Sequence, residues 1–397
     1  MRIILHVDVN NAFLSWTAVE MLKNGSKVDI RNRYAVIGGD EDSRRGIVLA
    51  KSNPCKKRGV VTAESLYQAR RKCPYLEVYK ADFFTYKKYS NLMYNYLLNY
   101  TDLIERYSID ECFIEYTGSE KLFGDPIKLA YKIKNDIKRL YGFTVNVGVG
   151  NNKLEAKMAS DFEKPDKVHT LFDNEIKAKM WPLPVKELFM VGKSASKKLE
   201  ELGIKTIGDL ANYDEDTLIK KFNKHGKLMW EYANGIDNST VESKRDNPKS
   251  VSTSTVLPYN YIDKREIYKV LKMLSCDTGM KLREKKLYAN TVSIWIKYSN
   301  FIKVSKQIRL NNSISSDNDI YYYACKLFDK LWDNDSYIRG LCVGVDNISK
   351  ERNEQLSLFD NNTNNKRSDD KLQEALDKIK KKYGYDKIGY ADRIDDN

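Results

Sequence analysis

No stretch of the 397 residues approaches the roughly 18 consecutive apolar residues that a membrane-spanning helix needs, so no membrane partner is expected. Histidine is scarce, with three in the chain, and the six cysteines (Cys55, Cys73, Cys112, Cys276, Cys325 and Cys342) include no Cys-x-x-Cys pair. This argues against a structural zinc site and for reduced thiols in a cytoplasmic protein. No Ser-His or Cys-His arrangement offers a protein nucleophile, and His6 reads as a packed strand residue. The opening "MRIILHVDV" meets a charge at Asp8 and lacks a small-residue cleavage site, so it reads as a buried first strand and not as a secretory signal. Internal repeats are absent, and low complexity is confined to "NNTNN". Acidic residues are in deficit: Asp+Glu number 55 against 68 Lys+Arg, a net charge of +13 that suits a polyanionic partner. The 27 tyrosines add faces able to stack on bases, although most are expected to pack.

The length predicts two to four domains. Strands are expected over 2–9, 103–107, 111–116 and 143–150, interleaved with helices in "NAFLSWTAVEML", "FFTYKKYSNLMYNYLLNY", 126–141 and 153–163. The alternation predicts a mixed α/β domain. From about 168 to 235 the pattern changes to short helices with glycine turns. Gly192, Gly203 and Gly208 there resemble a helix-hairpin-helix unit, whose helix start at Gly192–Lys193 would offer N–H groups to a phosphate. Residues 234–252 read as a linker. Beyond it the order β-α-β-β-α-β predicts a second small α/β domain. The tail from about 350 is polar except for "QLSLF" and ends in a short charged helix, "KLQEALDKIKKKYG".

Chemistry is concentrated in "RYSIDECFIEYT", Arg106 to Thr117. Asp110 and Glu111 lie side by side in an otherwise apolar run, where unpaired charges would cost several kcal/mol. Neighbours on a regular strand point to opposite faces, so the pair is expected at a strand end or bend. One reading makes them turn residues salt-bridged to Arg106 or a lysine. The other joins them to Asp8, at the end of the first strand, as a three-carboxylate site. Oxygen donors of this kind select Mg²⁺ or Mn²⁺.

"VDVNNAF", "YSIDECF", "VGVGNNKLEAKMASDFEKP" and the glycine hairpin occur in this order, and together they resemble the Y-family translesion DNA polymerases, most closely the bacterial polymerase IV and V relatives. The resemblance covers residues 1 to about 350. It implies a multidomain α/β (α+β) chain: palm over 1–25 and 79–165, fingers over 26–78, a helical thumb over 166–235, a linker over 236–249 and a βαββαβ little finger over 250–350, followed by a tail. It also implies template-directed addition of dNTPs to a primer 3′-OH by two-metal phosphoryl transfer, with two Mg²⁺ ions, or Mn²⁺ as a substitute, and a monomer acting on primer-template DNA.

Carried over to this chain, Asp8, Asp110 and Glu111 would be catalytic metal ligands, with the Val9 carbonyl as a fourth. Asn11, Ala12 and Phe13 would cradle the triphosphate, and the Phe13 ring would be the steric gate against a ribose 2′-OH. Asn53, Lys56 and Lys164 would bind the nucleotide; many relatives carry Tyr and Arg where this chain has Asn53 and Lys56. Gly192 and Lys193 in the thumb, and Lys297, Lys303, Lys306 and Arg309 in the little finger, would contact DNA. Gln355, Leu356, Leu358 and Phe359 resemble the peptide by which bacterial polymerases dock on the sliding clamp. Two alternatives stand beside this reading. "GGDED" (Gly38–Asp42) resembles the diguanylate cyclase signature but lacks its phenylalanine, and a catalytically inactive DNA- or clamp-binding subunit would share most of the motifs.

Overall fold

Strand β1 (Ile4–Val9) shows no inside-outside alternation: all six of its residues are buried. The same holds for β7 (Val145–Gly150), which pairs with it in antiparallel register. A computed structural model describes residues 2–39, 46–243, 247–352, 373, 375–379 and 382–383. Among these, the residues up to 243 form one compact unit and those from 247 onward another.

In the first unit, β1 and β7 are the middle of a five-stranded sheet ordered β5-β6-β1-β7-β8. Its other members are β5 (Ile104–Arg106), β6 (Glu111–Glu115) and β8 (Val168–Leu171). Helices α1 (Ala12–Lys23), α4 (Phe83–Leu97), α6 (Pro126–Tyr141) and α7 (Lys153–Asp161) supply its cover. Leu14, Trp16, Tyr86, Tyr89, Ile133 and Phe143 join the sheet in one core. Helix α6 begins at Asp125, whose carboxylate caps Lys128 N, with Pro126 at its first turn, and ends on Gly142 in the left-handed region.

Strand β8 corrects the expectation that helical structure starts near 168. It pairs parallel to β7, Val147 opposite Val168, and only Leu171 of its four residues is buried. A strand so short and polar leaves no periodicity to read.

A smaller sheet, β3-β2-β4, holds β2 (Ala35–Gly38), β3 (Val48–Lys51) and β4 (Glu77–Lys80), with α2 (Asn53–Lys57) and α3 (Leu66–Lys72) beside it. Gly38 closes β2; Asp40–Asp42 of the "GGDED" stretch lie outside the described residues. A single short turn, α5 (Glu120–Phe123), precedes α6. Helices α8 (Lys193–Glu200), α9 (Ile207–Ala211), α10 (Glu215–Phe222) and α11 (Lys224–Ala233) pack around Leu199, Ile207, Leu210, Leu218 and Met229. Gly203, at φ +83, turns the chain between α8 and α9, as the hairpin requires.

The second unit has the expected β-α-β-β-α-β order: β9 (Ser250–Tyr261), α12 (Lys264–Glu284), β10 (Tyr288–Tyr298), β11 (Lys303–Ile314), α13 (Asp317–Asp329) and β12 (Ile338–Ser349). The sheet order is β11-β10-β12-β9, and its core joins Ile294, Ile296, Leu341 and Val343 to Leu271, Leu274 and Phe328 of the helices. The described residues of the expected tail helix are helical and docked. Gln373 donates to the buried Asp317 (2.8 Å), and Asp377 accepts two bonds from Arg283 (2.7 and 3.0 Å). Gln355, Leu356, Leu358 and Phe359 lie outside the described residues.

Candidate active site

Asp8 is the fifth residue of β1, and the antiparallel register sets it directly opposite Glu111, the first residue of β6. Asp110 sits one residue earlier, in the bend that leads into the strand. Its carbonyl accepts from Val9 N (3.1 Å), and its carboxylate accepts from Ser108 Oγ (2.5 Å). Both acids of the adjacent pair therefore gather at one sheet end because the strand starts between them, as expected from the strand argument.

The cations beside these acids are lysines. Lys157, on α7, lies 2.8 Å from Glu111 Oε1, 3.8 Å from Asp8 Oδ2 and 3.4 Å from Asp161 Oδ2. Lys164 is bonded to Asp8 Oδ2 and lies 2.7 Å from Asp161 Oδ1. Arg106 donates to Asn91 (2.7 Å) and lies over the Tyr94 ring. Four carboxylates (Asp8, Asp110, Glu111, Asp161) against two ammoniums leave a formal charge of −2.

Burial lifts the Asp8 and Glu111 carboxyls above their ordinary values, against the pull of Lys164 on Asp8 and of Lys157 on both. Burial works the other way on the lysines, but the surrounding carboxylates outweigh it and raise both ammonium groups. Among the described residues no three acidic, histidine or cysteine side chains close on a single point. Asp8 and Glu111 are turned onto lysines, and Asp110 onto Ser108.

Helix α7 carries Lys157 this close because it lies against bare backbone. A β-carbon on Gly148 would stand 2.0 Å from the Ala156 carbonyl oxygen, and one on Gly150 would stand 2.5 Å from Glu155 Cβ. Asn152 caps the helix by accepting from Glu155 N (2.8 Å). His6, two residues before Asp8 on β1, is fully buried. Its Nδ1 meets Ser160 Oγ at 2.8 Å, and its Nε2 has no hydrogen-bond partner and lies 3.9 Å from Glu111 Oε2. Ser160 Oγ already donates to the Lys157 carbonyl, so His6 Nδ1 is the donor in that contact. Burial first, then the two lysines, hold the imidazole well below its ordinary pKa and therefore neutral. This agrees with the packed role expected for it.

On the other side of Asp8 the chain turns sharply into α1. Asn11 stands at φ 47, ψ 50, the left-handed region that Asn tolerates, and no side chain caps the helix start. Ser15 Oγ fixes the turn by donating to the Asn10 carbonyl (2.7 Å). Phe13 is half-buried and stacked on Tyr86, centroids 4.5 Å apart and planes 14° apart, with Phe83 edge-on at 5.9 Å. Tyr86 is in turn held by Thr17, which lies 3.2 Å from its hydroxyl and donates to the Phe13 carbonyl.

The remaining expected residues are spread out. Asn53 and Lys56 are exposed on α2, and among the described residues no hydrogen bond or ion pair links either to the carboxylates. Asn53 lines a groove whose cations are Arg31, Lys57 and Arg58, and Lys56 is not among its walls. Gly192 and Lys193 begin α8 in the open. In the second unit Lys297 pairs with Lys303 across β10 and β11, and Arg309 with Thr291. These share the sheet face opposite the helices with Trp295, over whose ring Lys303 lies at 4.3 Å. Lys306 departs from the expected set. It stands opposite Ile294, a residue of the helix-covered core, so the pleat sends it to the other face.

Four residues of the site have no role in the sequence reading: Lys157, Ser160 and Asp161, which lie inside the quoted "VGVGNNKLEAKMASDFEKP", and Tyr86. Lys157 stands out only once the burial is known: every residue from Leu154 to Ser160 is buried, and a lysine in such a helix must have a carboxylate partner.

Comparison with known proteins bears on the whole arrangement. Residues 7–161 match the impB/mucB/samB family model, 248–358 the C-terminal domain of that family, and 186–237 the thumb domain of DNA polymerase-iota. The chain is 50% identical to DNA polymerase IV of Clostridium acetobutylicum over 383 residues, 96% of each chain. It is 37% identical to DNA polymerase IV 2 of Bacillus subtilis, over 90% of this chain and 87% of that one. Among solved structures, a Y-family DNA polymerase chimera of Dbh and Dpo4 superposes with a TM-score of 0.75 at 25% identity, over 88% of this chain and all of the other. Nothing in these relatives favours a cyclase or an inactive subunit. On the strength of motifs, matched domains and end-to-end likeness to polymerases, the chain belongs to the Y family of translesion DNA polymerases.

Proposed function

We propose that Asp8, Asp110 and Glu111, with the Val9 carbonyl, hold two divalent ions, Mg²⁺ ordinarily and Mn²⁺ as a substitute, and that a primer is extended at this sheet end. The observation that carries the reading is the register of Asp8 against Glu111 with Asp110 one residue away. The donor set is oxygen-only and net negative, which suits a hard cation. The charges that now neutralise Asp8 and Glu111 are ammonium groups, which such ions would replace. Bound there, the ions would lower the pKa of the primer 3′-OH and neutralise charge gathering on the β,γ-phosphates.

The chain's own groups do the rest. Lys164 binds the triphosphate as a point charge, and the backbone amides at Asn11, Ala12 and Phe13 receive its oxygens at the start of α1. Phe13 presents its ring to the sugar. Asn53 and Lys56 are distal contributors on the fingers. Extension of a primer should require Mg²⁺ or Mn²⁺ and stop completely in chelator, with zinc a poor replacement. Undiminished extension in chelator would overturn the reading.

For the domains, the proposal is a palm of 1–25 and 79–171, the end moved to include β8, with fingers over 26–78, a thumb to 235 and a little finger over 250–350. Gly192 and Lys193 of the thumb, and Lys297, Lys303 and Arg309 of the little finger, are proposed phosphate contacts; Lys306 is a weaker candidate because of its face. The enzyme is proposed to work as a monomer, and in the cytoplasm, the latter reading supported by its six free cysteines. Gln355, Leu356, Leu358 and Phe359 are proposed to dock on the sliding clamp, the two last filling an apolar pocket. Replacing Leu358 and Phe359 with alanine should remove clamp-stimulated synthesis and leave unstimulated synthesis unchanged. Persistent clamp binding would refute the docking role.

A further inference from the structure

Asp161 is the one acid of the cluster with no place in the proposed metal set, yet each of its oxygens has a separate task. Oδ1 lies 2.7 Å from Lys164 Nζ and Oδ2 lies 3.4 Å from Lys157 Nζ. It ends α7, whose seat on the sheet is fixed by the close approach at Gly148 and Gly150. Its side chain is 43% exposed, so it stands at the rim of the site, whereas Asp8 is 8% exposed. Lys164 therefore has an inner carboxylate and an outer one.

We propose that Asp161 is a positioning residue that yokes the two lysines and sets nucleotide affinity through Lys164. When Asp8 turns to another cation, Lys164 loses its inner partner. A lysine carries four rotatable bonds, and a released one spreads into solvent. Asp161 keeps the ammonium at the mouth of the site, where an incoming triphosphate meets it already ordered. Lys157 shares the same carboxylate, so it stays beside Glu111. The inference rests on the reading of Lys164 as a triphosphate contact.

The test is a double-mutant cycle in steady-state primer extension, with Asp161→Asn, Lys164→Ala and the double variant, plus Asp161→Glu. Lys164→Ala should raise the KM for dNTP. Asp161→Asn should raise it by roughly three- to tenfold, the scale of ordering one long side chain, with kcat little changed. Asp161→Glu should restore most of the loss, because the charge remains. Added to Lys164→Ala, Asp161→Asn should cost less than about twofold, since residues acting through one another are not additive. An equal effect in both backgrounds would mean that Asp161 acts elsewhere, and the proposal fails while the Lys164 reading stands. A lower or unchanged KM for Asp161→Asn also overturns it, because the carboxylate would then be restraining the lysine or doing nothing. A Lys164→Ala enzyme with unchanged KM would overturn both.

Discussion

Asp110→Ala is expected to reduce single-nucleotide incorporation by on the order of a thousandfold, the effect of losing about 4 kcal/mol of charge stabilisation in the transition state. Binding of primer-template should change little, because the proposed phosphate contacts lie on α8 and on the β10–β11 face. Asp110 is the cleanest of the three acids to remove. Its side chain is hydrogen-bonded to Ser108, and the contact its backbone makes with Val9 survives any substitution. Glu111→Ala should be equally inactive, but it also strips Lys157 of its nearest carboxylate and leaves a largely buried ammonium with Asp8 and Asp161. The Glu111 variant should therefore melt at a lower temperature than the Asp110 variant. Rapid-quench incorporation, DNA-binding anisotropy and thermal melting separate the outcomes. Near-normal incorporation by Asp110→Ala would sink the site assignment.

Phe13→Ala is expected to admit ribonucleotides, changing the ratio of kcat/KM for dNTP over rNTP by roughly 10- to 200-fold. The ring can act as a barrier only if it cannot swing aside. Its stack on Tyr86, with Phe83 at its edge and Thr17 tying Tyr86 to the helix backbone, supplies that rigidity. Removing the ring takes away a clash and leaves the dNTP contacts in place, so most of the change should appear as improved use of rNTP. Steady-state kinetics with matched dNTP and rNTP measure it directly. An unchanged sugar preference would make Phe13 a packing residue of the α1–α4 interface.

Much of this was legible in the amino-acid order. The run from Ile4 to Val9 and the run after Asp110 read as strands that could be neighbours, and the structure pairs them antiparallel. The β-α-β-β-α-β order beyond residue 250 followed from helical and alternating periods long enough to stand out. What stayed unread did so for local reasons. β8 has four residues and one buried side chain, so it carries no period. Lys306 looked equivalent to Lys297 and Lys303, but membership of a face depends on pairing register, which composition does not reveal. Lys157 was hidden in a helix buried on all sides, where no apolar stripe marks a lysine as out of place. The stacking of Phe13 on Tyr86 joins residues 73 positions apart, beyond the reach of any local pattern.

The bare backbone under α7 has a consequence for how this gene can vary. Every glycine codon begins with two guanines, and each missense change one base away brings in a side chain with a β-carbon. At Gly148 that atom meets the Ala156 carbonyl and at Gly150 the Glu155 side chain and the α7 backbone. Neither codon has a single-step missense neighbour that avoids this clash, so amino-acid drift at these two points requires the helix to move as well, and with it Lys157. Gly192 is the contrast: a β-carbon there meets nothing within 4 Å and its φ is −80, so the folded chain alone places no ban on drift. A glycine retained at 192 in a mutational scan would report on what approaches α8 from outside, whereas one retained at 148 or 150 reports on the seat of the helix.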